Sequence, residues 1–146
     1  MSLASEKGYL DIIQQFSGLV DPCDFVEYAN TAVAKGHLSI LKYFIYLGTD
    51  IIDIINYENY CALGLATSYK HNDVVKYLIN NTANKVNYIK TYIWCVISSA
   101  SDCNTEIFEL VINILIKDGA DINQIFSENP YVLMNCMPIL ELAISN

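Results

Sequence analysis

The segment Gly36-His37-Leu38-Ser39-Ile40-Leu41-Lys42-Tyr43-Phe44-Ile45 returns without a gap as Lys70-His71-Asn72-Asp73-Val74-Val75-Lys76-Tyr77-Leu78-Ile79. The only two histidines of the chain fall at the same place in the two copies. Self-similarity of this kind constrains a fold more than any single motif, because each copy must be a small unit that buries its apolar side on the next. Within the first copy Ile40, Leu41, Phe44 and Ile45 share one face of a helix, and Ser39, Lys42 and Tyr46 share the other. The same shape precedes it in Gly8-Tyr9-Leu10-Asp11-Ile12-Ile13-Gln14-Gln15-Phe16 and recurs in Val111-Ile112-Asn113-Ile114-Leu115-Ile116, so this helix occurs in four copies.

The half-unit ahead of each such helix repeats more faintly. Asn56-Tyr57-Glu58-Asn59-Tyr60-Cys61-Ala62-Leu63-Gly64-Leu65-Ala66 parallels Asn87-Tyr88-Ile89-Lys90-Thr91-Tyr92-Ile93-Trp94-Cys95-Val96-Ile97, in each case an Asn-led turn and then a short apolar helix. The unit is therefore turn, short helix, tight turn, second helix.

On these residues the chain resembles the ankyrin repeat, a pattern of about 33 residues with T-P-L-H in its first helix. The matching stretches are Ala32 with GHLSILKYFIYLGTDI, Leu63 and Ala66 with HNDVVKYLIN, LVINILIKDGADIN from Leu110 to Asn123, and LELAI from Leu140 to Ile144. The resemblance covers nearly the whole chain and implies an all-α helical-repeat solenoid of about four to five stacked helix pairs with short finger loops. It implies a single domain over 1–146, in units of about 1–20, 21–54, 55–86, 87–123 and a partial 124–146.

T-P-L-H never appears intact: Cys61-Ala62-Leu63-Gly64 stands in its place once and Tyr92-Ile93-Trp94-Cys95 again. Without the Thr and His hydrogen bonds that brace the turn in the family, stability is expected to rest more on apolar packing. Asn59 takes the place of the family's left-handed glycine, a conformation Asn tolerates, whereas Lys90 fits its equivalent place less well. Ser99–Glu106 is expected to lengthen the turn between the helices of the fourth unit, and Phe126–Tyr131 the finger after it. The first unit keeps only Met1–Glu6 of its first helix, and the last stops after Leu140, Leu142 and Ile144, so neither end carries a full polar cap.

Composition narrows the function. A net charge of −8, with eight lysines and no arginine, opposes a nucleic-acid surface, which needs clustered cations to displace counterions. The longest apolar-rich run, Ile107–Ile116, is interrupted by Glu109 and Asn113 and falls short of the roughly 20 residues of a membrane span. Glu6 and Lys7 stand where a secretory signal would be apolar, so an intracellular, cytoplasmic protein is expected.

No catalytic, cofactor or metal set emerges. Five cysteines at irregular spacings, in surroundings such as YIWCVIS and NYCALGL, read as small buried thiols. A thiol or metal site around Cys95 and Cys103 remains an alternative, although no histidine shares their unit. Cys61 with His71 would mimic a nucleophile and its base, but both positions are explained by the repeat. The pairs Asp50 with Asp53 and Asp118 with Asp121 read as solvated residues of turns and helix ends. G-x-S-x-G, H-E-x-x-H and the phosphate-binding loop are absent.

What remains is surface. Of the 11 tyrosines, Tyr43 and Tyr77 fall at core-facing positions, whereas Tyr57, Tyr60, Tyr69 and Tyr88 map to finger tips or to the exposed end of a first helix. In ankyrin proteins such positions line the concave, partner-gripping face, so the resemblance implies a partner-binding set of these four with Lys35, Glu58 and Ser68. The expected function is non-catalytic protein binding, with a basic patch on the partner to match the chain's charge. Self-association through uncapped ends is the structural alternative. Divergent repeats rich in Ile, Asn and Tyr resemble those multiplied in large DNA viruses, which implies a host signalling or ubiquitin-pathway partner.

Overall fold

The computed structural model describes residues 1–57, 62–82, 95 and 104–128. Every regular element among them is helical. The chain forms two compact units, Met1–Thr82 and Ala83–Asn146.

In the first unit the chain runs α1 (Ser2–Lys7), α2 (Leu10–Phe16), two 3-10 turns (Ser17–Leu19 and Pro22–Asp24), α3 (Phe25–Ala34), α4 (Leu38–Tyr46), α5 (Ile51–Asn56), α6 (Ala62–Ser68) and α7 (Asn72–Thr82). Three helix pairs result: α1 with α2, α3 with α4, and α6 with α7. The first helices form a row in which α3 lies between α1 and α6, and α2 packs on α4 behind it. None of these helices would persist alone in water, being shorter than the 12–15 residues an isolated helix needs, so their stability is that of their shared core. Ile40, Leu41 and Phe44 of α4 are fully buried, as are Val74, Val75, Leu78 and Ile79 of α7, while Tyr46 on the opposite face of α4 is 83% exposed. The faces expected from the helical spacing are the faces observed.

Each first helix ends in the same way. Gly8 (φ 83°), Gly36 (φ 79°) and Lys70 (φ 59°) are left-handed, and the next residue's N–H reaches back five positions: Tyr9 to Ala4 (2.9 Å), His37 to Ala32 (2.8 Å) and His71 to Ala66 (2.8 Å). The following pair leans on this turn. A Cβ on Gly8 would lie 2.7 Å from Cε1 of His37, and one on Gly36 would strike the ring of His71. His37 Nε2 donates to the carbonyl of Glu6 at 2.9 Å. The brace expected to be missing with T-P-L-H is thus supplied by the residue that opens the second helix. Lys42 of α4 extends the ladder, its Nζ lying 5.1 Å from the centroid of the Tyr77 ring on α7.

The fingers correct the expectation of short loops. Between the α3–α4 and α6–α7 pairs the chain forms a helix, α5, whose Ile51, Ile54 and Ile55 are buried. Asp50 caps it, accepting from Ile52 N–H at 2.9 Å, and Asn30 Nδ2 ties it to α3 through the Ile54 carbonyl at 2.8 Å. Three apolar side chains on one short turn gain more by folding over the core than a solvated loop would.

In the second unit the described elements are α8 (Thr105–Lys117), α9 (Ile122–Glu128) and the helical, buried Cys95. Ile107, Phe108, Val111 and Leu115 form the buried stripe of α8. Thr105 and Glu106 belong to this helix and do not extend the turn before it, because Asn104 (φ −89°, ψ 77°) opens the helix in the conformation that His37 (φ −87°, ψ 74°) uses for α4. Likewise Phe126 lies inside α9, which Asp121 caps by accepting from Asn123 and Gln124 N–H at 2.9 and 3.1 Å. Asn59 and Lys90 fall outside the described residues.

Candidate partner-binding surface

The sequence-derived surface set divides between the two ends of the helix pairs. The turn after α3 and the finger before it stand at opposite ends of a ten-residue helix, about 15 Å apart. Lys35, Ser68 and Tyr69 belong to the turn end. Lys35 closes α3 and reaches Glu6 Oε1 at 4.0 Å, while Ser68 ends α6. Tyr69 follows, 61% exposed, with its ring 6.2 Å from that of His71, the histidine that covers Gly36 next to Lys35. The stacking of consecutive pairs therefore places Lys35 and Tyr69 on neighbouring turns. Tyr57 lies at the finger end, directly after α5, and is half-buried. Glu58, Tyr60 and Tyr88 lie outside the described residues.

Charge separates the two ends. The turn end carries Lys7, Lys35 and Lys70, balanced by Glu6, Asp11 and Asp73, with Glu6 at 3.7 and 4.0 Å from the first two lysines. The finger end carries Asp21, Asp24, Glu27, Asp50 and Asp53, and among the described residues none of these has a cation within 4.0 Å. Helix polarity favours this split, since carboxylates suit the start of each first helix and ammonium groups its close. The negative field is felt locally. The Cys23 N–H and thiol, both bonded to Asp21, hold that carboxyl below its usual range, and the bond to Asp21 with the charges of Asp21 and Asp24 pushes the Cys23 thiol up. Partial burial, followed by Asp24 and Glu27, raises the Tyr28 phenol. An exposed thiol made harder to ionise is a poor nucleophile.

Sequence reasoning missed the acidic finger end because Asp50 and Asp53 read as a pair of solvated turn residues and were not joined to Asp21, Asp24 and Glu27. The recurrence of Gly48-Thr49-Asp50 as Gly119-Ala120-Asp121, with Asp21 capping in the same way (Cys23 N–H to Oδ1, 2.9 Å), was the available signal. Among the described residues no three His, Cys, Asp or Glu side chains are placed to hold a metal ion, and no helix is long and apolar enough to cross a membrane. Cys95 is buried; Cys103, its companion in the alternative thiol or metal site, lies outside the described residues.

Stacked helix pairs, a left-handed turn closing each first helix and a capped finger between pairs make up one repeating unit, and a family model for ankyrin repeats, three copies long, matches residues 1–91 and 29–126. The chain belongs to the ankyrin-repeat family. No curated protein and no solved structure matches it significantly. Ankyrin repeats are generally protein-protein interaction modules, and the family's fold is a non-catalytic interaction fold.

Proposed function

We propose that this ankyrin-repeat chain binds a protein partner through its concave face, with Lys35, Ser68 and Tyr69 on adjoining turns, Tyr57 after the finger helix, and Glu58, Tyr60 and Tyr88 as the further members of the set. The observation that supports it most is Tyr69, a large ring left 61% exposed on a rigid turn beside Lys35. A ring held by a stacked repeat loses little freedom on binding, so its contact area is not offset by ordering. The surplus of acid at the fingers favours a partner with a basic patch. The Ile-, Asn- and Tyr-rich style of the repeats favours a viral protein in host cytoplasm that engages a signalling or ubiquitin-pathway component. In affinity purification, the Tyr57, Tyr69 and Tyr88 to alanine variant is expected to lose a partner that the unaltered chain retains, at unchanged helical content. Equal recovery by both would move the site elsewhere.

A second reading, self-association, is favoured by one observation. Ile12 and Phe16 occupy in α2 the places of Ile40 and Phe44 in α4, yet are 44% and 45% exposed where their counterparts are fully buried. With Leu3 and Leu19, 65% and 83% exposed, they give the first pair an apolar outer flank. Sedimentation of the unaltered chain and of Ile12→Lys separates the readings. A mass that rises with concentration only in the former supports self-association, and constant mass in both removes it.

A further inference from the structure

The finger end holds a cleft of about 200 Å³ between the Pro22–Val26 segment and the stretch from Leu47 to Asp53. Pro22, Phe25, Val26 and Leu47 give it apolar walls, and Asp50 and Asp53 supply its carboxylates. The volume is below the roughly 300–1,000 Å³ of small-molecule sites, so it suits a single side chain. Two observations say which kind. Asp21, Asp24 and Glu27 add to the charge of Asp50 and Asp53, and among the described residues no lysine neutralises any of the five. Asp50 is held in place, since its Oδ1 accepts from Ile52 N–H, and Asp53 stands one turn further along α5.

We propose that this cleft receives one lysine or arginine side chain of a protein partner, its aliphatic stem against Pro22, Val26 and Leu47 and its cationic end between Asp50 and Asp53. Long cationic side chains combine these two needs, an apolar surface for the stem and anionic or polar groups for the head. A neutral apolar residue would leave the carboxylates unanswered, and an acidic one would be repelled. The proposal rests on the protein-binding function above and adds a specific subsite to it, remote from Tyr69 and Lys35.

The test uses the full chain and defined probes, acetyl-lysine methylamide and acetyl-arginine methylamide, with acetyl-norleucine methylamide as the uncharged isostere. In a heteronuclear NMR titration the cationic probes are expected to shift the amides of 22–27 and 47–53 saturably, and the norleucine probe to leave them in place. Asp50→Asn with Asp53→Asn is expected to weaken the cationic probes about fivefold, the effect of removing two partly solvated charge pairs, while Asp11→Asn with Asp73→Asn changes nothing. Asn retains capping ability at position 50, and Asp53→Asn alone, which touches no cap, serves if the double variant unfolds. Norleucine shifting the same amides, or cationic probes shifting acidic positions indiscriminately, would overturn the proposal. That result leaves the wider function standing if the tyrosine variant still loses its partner; loss of the subsite and retention of the partner by the tyrosine variant would remove both.

Discussion

The α1–α2 and α3–α4 pairs share residues at several equivalent positions, Ile12 with Ile40 and Phe16 with Phe44, and differ in what covers them. Phe44 is fully buried, with ring centroids of Phe25, Tyr28 and Tyr43 at 5.4, 6.2 and 6.3 Å, whereas Phe16, its equivalent, is 45% exposed. Residue type therefore does not decide what a position contributes in this molecule; its place in the stack does. The sharpest way to break that comparison is to truncate both rings. Phe44→Ala is expected to cost about 3–5 kcal/mol through lost transfer energy and a cavity that the stack cannot close. Phe16→Ala should cost only about 1 kcal/mol, because about half of its surface is already in water. Urea titration of the whole chain followed by circular dichroism measures both; equal losses would mean that the outer flank of α2 is covered in solution.

A second comparison concerns two left-handed glycines. Gly36 and Gly48 both have positive φ, 79° and 104°, but a Cβ on Gly36 meets the ring of His71 and one on Gly48 meets nothing within 4 Å. Alanine at either position bears the backbone strain of about 1 kcal/mol. Only at Gly36 must the next repeat also give way, so Gly36→Ala is expected to cost about 2 kcal/mol or more in the same titration. If the two substitutions proved equal, the close seat of His71 on the preceding turn would not contribute to stability.

Capping is the third. Asp50 and Asp121 each hold a finger helix by accepting backbone N–H groups, and Asp50→Ala is expected to cost about 1 kcal/mol, with Asp50→Asn near neutral. Thermal melting of the two variants checks it. A similar loss for both would assign the effect to charge and not to the cap.

These comparisons also show why some of the molecule was readable in advance. Ile40, Leu41 and Phe44 announce a buried face because a nine-residue helix spans enough turns for its 3.6-residue period to show. The six residues of α5 do not, and Asp50 belongs to the ankyrin pattern whether a loop or a helix follows, so the resemblance concealed the finger helix. Tyr69 was legible because it follows a helix end among polar neighbours. The acidic cleft was not, since Pro22 and Asp53 are far apart in sequence and meet only when successive fingers stand side by side. The brace that His37 gives to Glu6 was hidden for the same reason.

The smallest expected effect has the opposite sign. Lys70 stands where Gly8 and Gly36 stand, with φ 59°, and keeps the same return bond, His71 N–H to the Ala66 carbonyl at 2.8 Å. The left-handed conformation costs an L-residue about 1 kcal/mol or more that glycine avoids. Glycine also gives the unfolded chain more freedom, which takes back part of the gain. Lys70→Gly is therefore expected to stabilise the chain by about 0.5 kcal/mol, visible as a small rise in melting temperature at unchanged helical content. A loss would show that the lysine side chain makes a stabilising contact that outweighs its strained backbone. In that event the turn end would be held by its charges as well as by its fold, and the lysines there could not be varied as a purely functional surface.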